Sequence, residues 1–185
     1  MMSQVGVMSC AHGAWHRSSR VMGEALAAAA GYGAGDVRIH TPVDAEGFAA
    51  CFPEAALWVI HTHGSPHHLY DQRATGKIPK IIGLAELEAL PVQSHIRLVF
   101  LTACSVAGDD PNHNVASVLS TRISPRGIVI GNLYTVWGED YDFGARDNRR
   151  GWVIYQNGRI LYPHTALPPS LTMSDAYRIL LGCGG

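Results

Sequence analysis

Short apolar-rich runs alternate along this chain with stretches in which apolar residues recur every three or four positions. The runs are Gln4 to Ser9, Asp36 to His40, Leu57 to Thr62, Arg97 to Ala103 and Gly127 to Leu133. The middle ones are almost wholly apolar, as expected of strands buried on both faces of a parallel sheet. Between them, Ser18 to Ala30 carries Val21, Met22, Leu26 and Ala29 at helical spacing, and the glycines of Gly31 to Gly35 end the element. Ala45 to Phe52 and Leu84 to Leu90 predict shorter helices. Pro111 to Arg122 predicts another, started by Asp109-Asp110 and repeating through Val115, Val118, Leu119 and Arg122.

The last third reads differently. Trp152 to Gln156 and Arg159 to Tyr162 flank Asn157-Gly158, the dipeptide best able to supply two positive φ angles, so a small C-terminal β-hairpin is expected. Thr172 to Leu181 predicts a final helix, with Thr172 or Ser174 as cap and Gly182 as stop. This rhythm gives an α/β fold: a three-layer α/β/α sandwich around a mainly parallel central sheet. At 185 residues it is expected to form a single domain over residues 1–185.

Composition narrows the function. Hydrophobic residues make up 47% and charged residues 16%, enough apolar surface to build a core. A formal net charge of -1 supplies no basic field, so neither nucleic acid nor a membrane surface is an expected partner. Cys10, Cys51, Cys104 and Cys183 show no C-x-x-C pairing, which argues against a zinc knuckle or a disulfide scaffold and for a reducing compartment. No run reaches membrane-spanning length and no leader opens the chain, so the default location is cytoplasmic, with secretion left open.

Ligands of an open parallel sheet bind beyond the carboxyl ends of its strands. There the third run ends in His61-Thr62-His63-Gly64 and the fourth in Leu101-Thr102-Ala103-Cys104-Ser105. If the two strands are neighbours, about 4.8 Å apart, the His63 imidazole faces the Cys104 thiol. A histidine there can take the thiol proton and return it to a leaving amine, and a thiolate is the reactive species in acyl transfer. Gly64 lets the backbone turn without Cβ crowding, so its amide and that of Cys104 can point at an oxyanion.

These segments, Trp58-Val-Ile-His-Thr-His63-Gly64 and Leu98-Val-Phe-Leu-Thr-Ala-Cys104-Ser-Val-Ala-Gly108, followed by Gly127-Ile-Val-Ile-Gly131, resemble the caspase-like cysteine peptidases. That clan includes caspases, gingipains, clostripain and bacterial CHAT domains. The resemblance covers Leu57 to Leu133. It implies a catalytic dyad of His63 and Cys104, a peptide or protein substrate, and no metal or organic cofactor. It also implies that the loop after the first strand lines the substrate pocket, which brings in His12 or His16. It further implies that the loop beyond the fifth strand, with Tyr134, Trp137, Glu139 and Asp140, forms much of the substrate groove. Thr102 stands two before the cysteine, where caspases carry Gln and clostripain-like enzymes an acid that helps bind the side chain before the cut bond. Neither an Asp nor an Arg preference therefore carries over.

Competing readings exist for the same residues. His61 shares a strand face with His63 and competes as the base. Ser9-Cys10-Ala11-His12-Gly13 is a second, local cysteine–histidine pair. His61 and His63 with His67-His68 invite a zinc hydrolase, although the H-x-H-x-D-H pattern fails at Ser65 and Pro66. A catalytically silent caspase-like module that binds a partner is the alternative outside enzymology, because fold does not fix function. The dispersed Trp15, Trp58, Trp137 and Trp152 are expected in the core by default, Trp137 excepted.

Overall fold

The structure is a computed structural model that describes residues 3–139, 142–145 and 148–184. In chain order, β1 (Ser3–Ser9) leads into α1 (Gly13–Ala29), β2 (Val37–His40), α2 (Ala45–Cys51) and β3 (Ala55–His61). Three short strands follow, β4 (His63–Gly64), β5 (His68–Tyr70) and β6 (Lys80–Gly83). Then come α3 (Leu84–Glu88), β7 (Leu98–Leu101), α4 (Val115–Ser120) and β8 (Ile128–Asn132). The chain continues through β9 (Val136–Glu139), β10 (Asp142–Ala145), β11 (Trp152–Gln156), β12 (Arg159–Tyr162), β13 (Ser170–Leu171) and α5 (Met173–Gly182).

A seven-stranded sheet in the order β12-β11-β8-β7-β3-β1-β2 runs through the molecule. The five strands from β2 to β8 are parallel, and β11 and β12 add an antiparallel edge. Because successive strand residues point to opposite faces, each central strand feeds two cores. Trp58, Ile60, Val99 and Leu101 pack with Phe48 of α2, Leu87 of α3 and Val115 of α4. Leu57, Val59, Leu98 and Phe100 pack with Met22 and Leu26 of α1 and Leu180 of α5. The result is a mostly parallel sheet with helices on both faces. The parallel register sets Gly6 beside Trp58, and a Cβ at Gly6 would lie 2.5 Å from the indole ring. Glycine here makes room for one of the two fully buried tryptophans of the sheet. Removing a ring packed this way from a core costs about 3–5 kcal/mol. Among the described residues, no helix is long and apolar enough to cross a membrane.

Several expected elements shift. Helix α1 starts at Gly13 rather than Ser18, because the His12 Nδ1 accepts the Ala14 amide and caps the helix. Helix α4 starts at Val115, after the cap Asn114, and not at Asp109-Asp110-Pro111. Asn114 takes the Ser117 amide on its side-chain oxygen and donates through Nδ2 to the Asp110 carbonyl and the Tyr155 hydroxyl. The residues before it are held as a loop, with Ala107 N bonded to Asn132 O. Gly182 lies within α5, capped at its start by Thr172 as expected, and the positive φ falls on Gly184. The Asn157-Gly158 turn has φ of 48° and 78° and closes the β11–β12 hairpin at the expected residues. Two three-stranded sheets, β4-β5-β6 and β13-β10-β9, were not expected from the pattern.

Candidate active site

Strands β3 and β7 pair in parallel with Ile60 opposite Leu101, an offset of 41 residues. The same offset separates His63 from Cys104. Both segments therefore leave the sheet at one level on neighbouring strands, about 4.8 Å apart. The Thr102 amide, bonded to Ile60 O at 3.0 Å, carries the pairing one residue past β7. Beyond the buried Thr62, the chain bends into β4, which pairs His63 with Tyr70 and Gly64 with Leu69. A Cβ at Gly64 would meet Ala103 Cβ, the Cys104 carbonyl oxygen and Val106 Cγ1, each at 2.8 Å. The His-Gly segment thus rests directly against the backbone that carries Cys104.

Backbone geometry frames the thiol. Ser105, next in the chain, sits in the left-handed region at φ 55°. That conformation costs a non-glycine residue about 1–3 kcal/mol and concentrates at functional turns. Its amide bonds Tyr134 O at 2.9 Å, and its carbonyl takes the Gly108 amide at 2.9 Å, so the strained turn is held from both sides. Among the described residues, no backbone acceptor takes the Cys104 amide. On the histidine side, Ser65 N bonds His68 O, which makes that pair hydrogen-bonded within the antiparallel ladder. Such pairs alternate, so Gly64–Leu69 is the non-bonded kind and the Gly64 amide points away from β5. The Gly64 amide is thereby left to face outward from its ladder, and the Cys104 amide lies in the turn that follows β7.

Cys104 is half-buried, and its Sγ lies 3.9 Å from the Val136 carbonyl oxygen. Burial raises the thiol pKa above 9.0, only partly opposed by that backbone contact. Burial thus favours the neutral thiol over the thiolate. His63 is partly exposed, and its Nε2 lies 2.9 Å from Gln72 Oε1. The Trp15 indole meets the His61 and His63 rings edge-on, with centroids at 4.6 and 4.9 Å.

The competing groups are packed into the scaffold around the same strand ends. His61 is pushed down to about 4 by burial and by the neighbouring His63, and its Nδ1 lies 3.5 Å from the Ser19 hydroxyl. It is a packed imidazole further down the strand. Cys10 is fully buried, its thiol 3.7 Å from the Tyr70 carbonyl oxygen and pushed up to about 11 by burial. Its local partner His12 is occupied in capping α1, which also accounts for the residue expected in the substrate pocket. His16 is exposed. The Thr102 side chain is buried and donates to Ile60 O at 3.3 Å, so it ties β7 to β3. For the zinc alternative, no group of three His, Cys, Asp or Glu among the described residues stands close enough to hold a metal. His67 is exposed, 3.9 Å from Asp109, while His68 belongs to β5.

In the expected groove, Tyr134 lies with the Arg149 guanidinium 3.9 Å above its ring. Trp137 and Glu139 lie on β9, which pairs with β10, and Asp140 lies outside the described residues. Trp15 and Gln72, whose side chains meet the His63 ring, carry no sequence signal that marks them as site residues. They belong to no motif, and only the fold brings them to the strand end. No protein-family model matches the sequence, and no curated protein matches it.

Proposed function

We propose that this chain is a cysteine endopeptidase of the caspase-like type. The observation that supports it most is the matched register of β3 and β7, with Gly64 seated against the Cys104 backbone. Cys104 Sγ attacks the scissile carbonyl while His63 takes the thiol proton, and a carbon–sulfur bond forms as the carbonyl oxygen becomes an anion. The amides of Gly64 and Cys104 hold that oxygen. The carbon–nitrogen bond then breaks, His63 gives its proton to the departing amine, and a thioester remains. Water, deprotonated by His63, attacks the thioester, releases the acid and returns the proton to sulfur. No metal or organic cofactor enters these steps.

Burial of the thiol favours a second reading, a silent module of the same fold that binds a partner. A covalent trap separates the two. Peptidyl acyloxymethyl ketones, varied at the residue next to the warhead, are incubated with folded protein at neutral pH and the adduct is mapped by mass spectrometry. The expected result is one adduct per chain, on Cys104, with Cys10, Cys51 and Cys183 unmodified. No adduct on Cys104 from any of the peptides would overturn the peptidase reading in favour of the silent module.

A further inference from the structure

We infer that Gln72, its amide turned by the Trp15 indole, holds the His63 imidazole with a proton on Nε2 and so makes Nδ1 the atom that exchanges protons with the reaction. The second half rests on His63 being the general acid and base proposed above.

Trp15 supplies a donor that has no alternative role. An indole N–H can only donate. Trp15 Nε1 lies 2.9 Å from the Gln72 side-chain oxygen, so the oxygen end of the amide must face it. The usual ambiguity between the two ends of a glutamine amide is removed by its neighbour. His63 Nε2 lies 2.9 Å from that same oxygen. An amide oxygen has two lone pairs and nothing to donate, so it receives one hydrogen from each ring. Nε2 therefore carries a proton whether the imidazole is neutral or charged. In the neutral ring, the lone pair lies on Nδ1.

Gln72 is held firmly enough to do this. Its carbonyl accepts the His12 amide at 2.9 Å, and the preceding Asp71, wholly buried, accepts the Ala11 amide at 2.7 Å through Oδ1. The Asp71 amide bonds Pro79 O, and the Arg73 amide bonds Lys77 O, each at 2.9 Å. These bonds tie residues 71–73 to the end of β1 on one side and to the segment before β6 on the other. Trp15 stands in the first turn of α1, the turn capped by His12. The end of β1, the start of α1 and the segment after β5 thus converge on one imidazole. Gln72 is a positioning residue: it acts through His63 and needs no contact with substrate.

The test reads the ring itself as well as the reaction. Protein labelled with ¹⁵N-histidine gives the His63 ring signals, assigned by their loss in His63→Gln. In wild type the neutral ring is expected as the Nε2–H form alone. Gln72→Leu is expected to give a mixture of the two neutral forms and to lower kcat about 10- to 100-fold, with KM little changed. Trp15→Phe, which frees the amide to rotate, is expected to mix the forms as well. Adding Gln72→Glu to Trp15→Phe is expected to restore the single form, because both carboxylate oxygens accept. A wild-type ring protonated on Nδ1, or a Gln72→Leu ring that stays wholly Nε2–H, would overturn the inference whatever the rates. If the ring signals respond as expected but no variant and no wild type cleaves peptide, the tautomer assignment stands and the peptidase reading falls.

Discussion

Peptide hydrolysis by His63→Ala is expected to fall about 10²- to 10⁴-fold at neutral pH, and to recover in part as the pH is raised. Burial raises the Cys104 thiol pKa above 9.0, so at neutral pH the folded protein holds very little thiolate by itself. On the proposed mechanism His63 removes the proton as the sulfur attacks in the wild type, so a neutral resting thiol imposes little penalty. Without the imidazole, the rate follows the free thiolate fraction. That fraction climbs steadily with pH until the raised pKa is passed, so the His63→Ala rate climbs with it, whereas the wild type does not need the alkaline limb. Initial rates of both proteins on one cleaved peptide, followed from neutral to alkaline pH, check this. A His63→Ala rate equal to wild type at neutral pH would remove His63 from the chemistry and return His61 to consideration. His61→Gln should leave activity nearly intact, since His61 titrates only at about 4 and packs between Trp15 and Ser19.

Gly64→Ala is expected to lower hydrolysis about 100-fold while the protein stays folded. The added Cβ would lie 2.8 Å from the Cys104 carbonyl oxygen, from Ala103 Cβ and from Val106 Cγ1. The first is backbone and the other two are buried, so none can swing aside as a flexible side chain would. The two segments must separate, which on the proposed mechanism moves the thiol, the imidazole and both amides out of register with one another. Misplacement of about 1 Å is enough to cost about 100-fold in rate. Overpacking of this kind lowers stability by about 1–3 kcal/mol, less than a whole fold is worth. Gly35→Ala is the matched control, because a Cβ there meets nothing within 4 Å. Steady-state rates and thermal melting of the two variants give the comparison: full activity in Gly64→Ala would mean that this contact does not position the site.

The central sheet was legible because burial on both faces leaves little choice of residue. Leu98 to Leu101 and Trp58 to Ile60 are apolar without alternation, and each run proved to feed the cores on both sides. The hairpin was legible for another reason, since Asn157 and Gly158 meet a backbone demand that few dipeptides meet. Helix starts were harder to read. The His12 cap moved α1 forward by one and a half turns, and histidine is not among the usual capping residues. Asp109-Asp110-Pro111 has the composition of a helix start, yet the bonds of Asn114 to Asp110 and Tyr155 keep those residues in a loop. Such contacts are tertiary and leave no local trace.

The candidate site divides along the same line. His63, Gly64 and Cys104 were legible because each sits where an apolar strand stops, and strand ends are where an open sheet places its chemistry. Thr102 and His12 reach a pocket only by analogy, and in the fold the Thr102 hydroxyl and the His12 Nδ1 bond within the scaffold. Gln72 and Trp15 lie far from each other in sequence and carry no motif. Their meeting at His63 depends on β4 and β5, a small ladder of five residues that the pattern did not announce.

The most direct measurement of the central claim is cleavage of a mixed peptide library, read by mass spectrometry of the new termini, by wild type and Cys104→Ala purified in parallel. New peptide termini are expected with the wild type and none with Cys104→Ala, whose melting transition should match that of the wild type. Equal cleavage by the two proteins would contradict it.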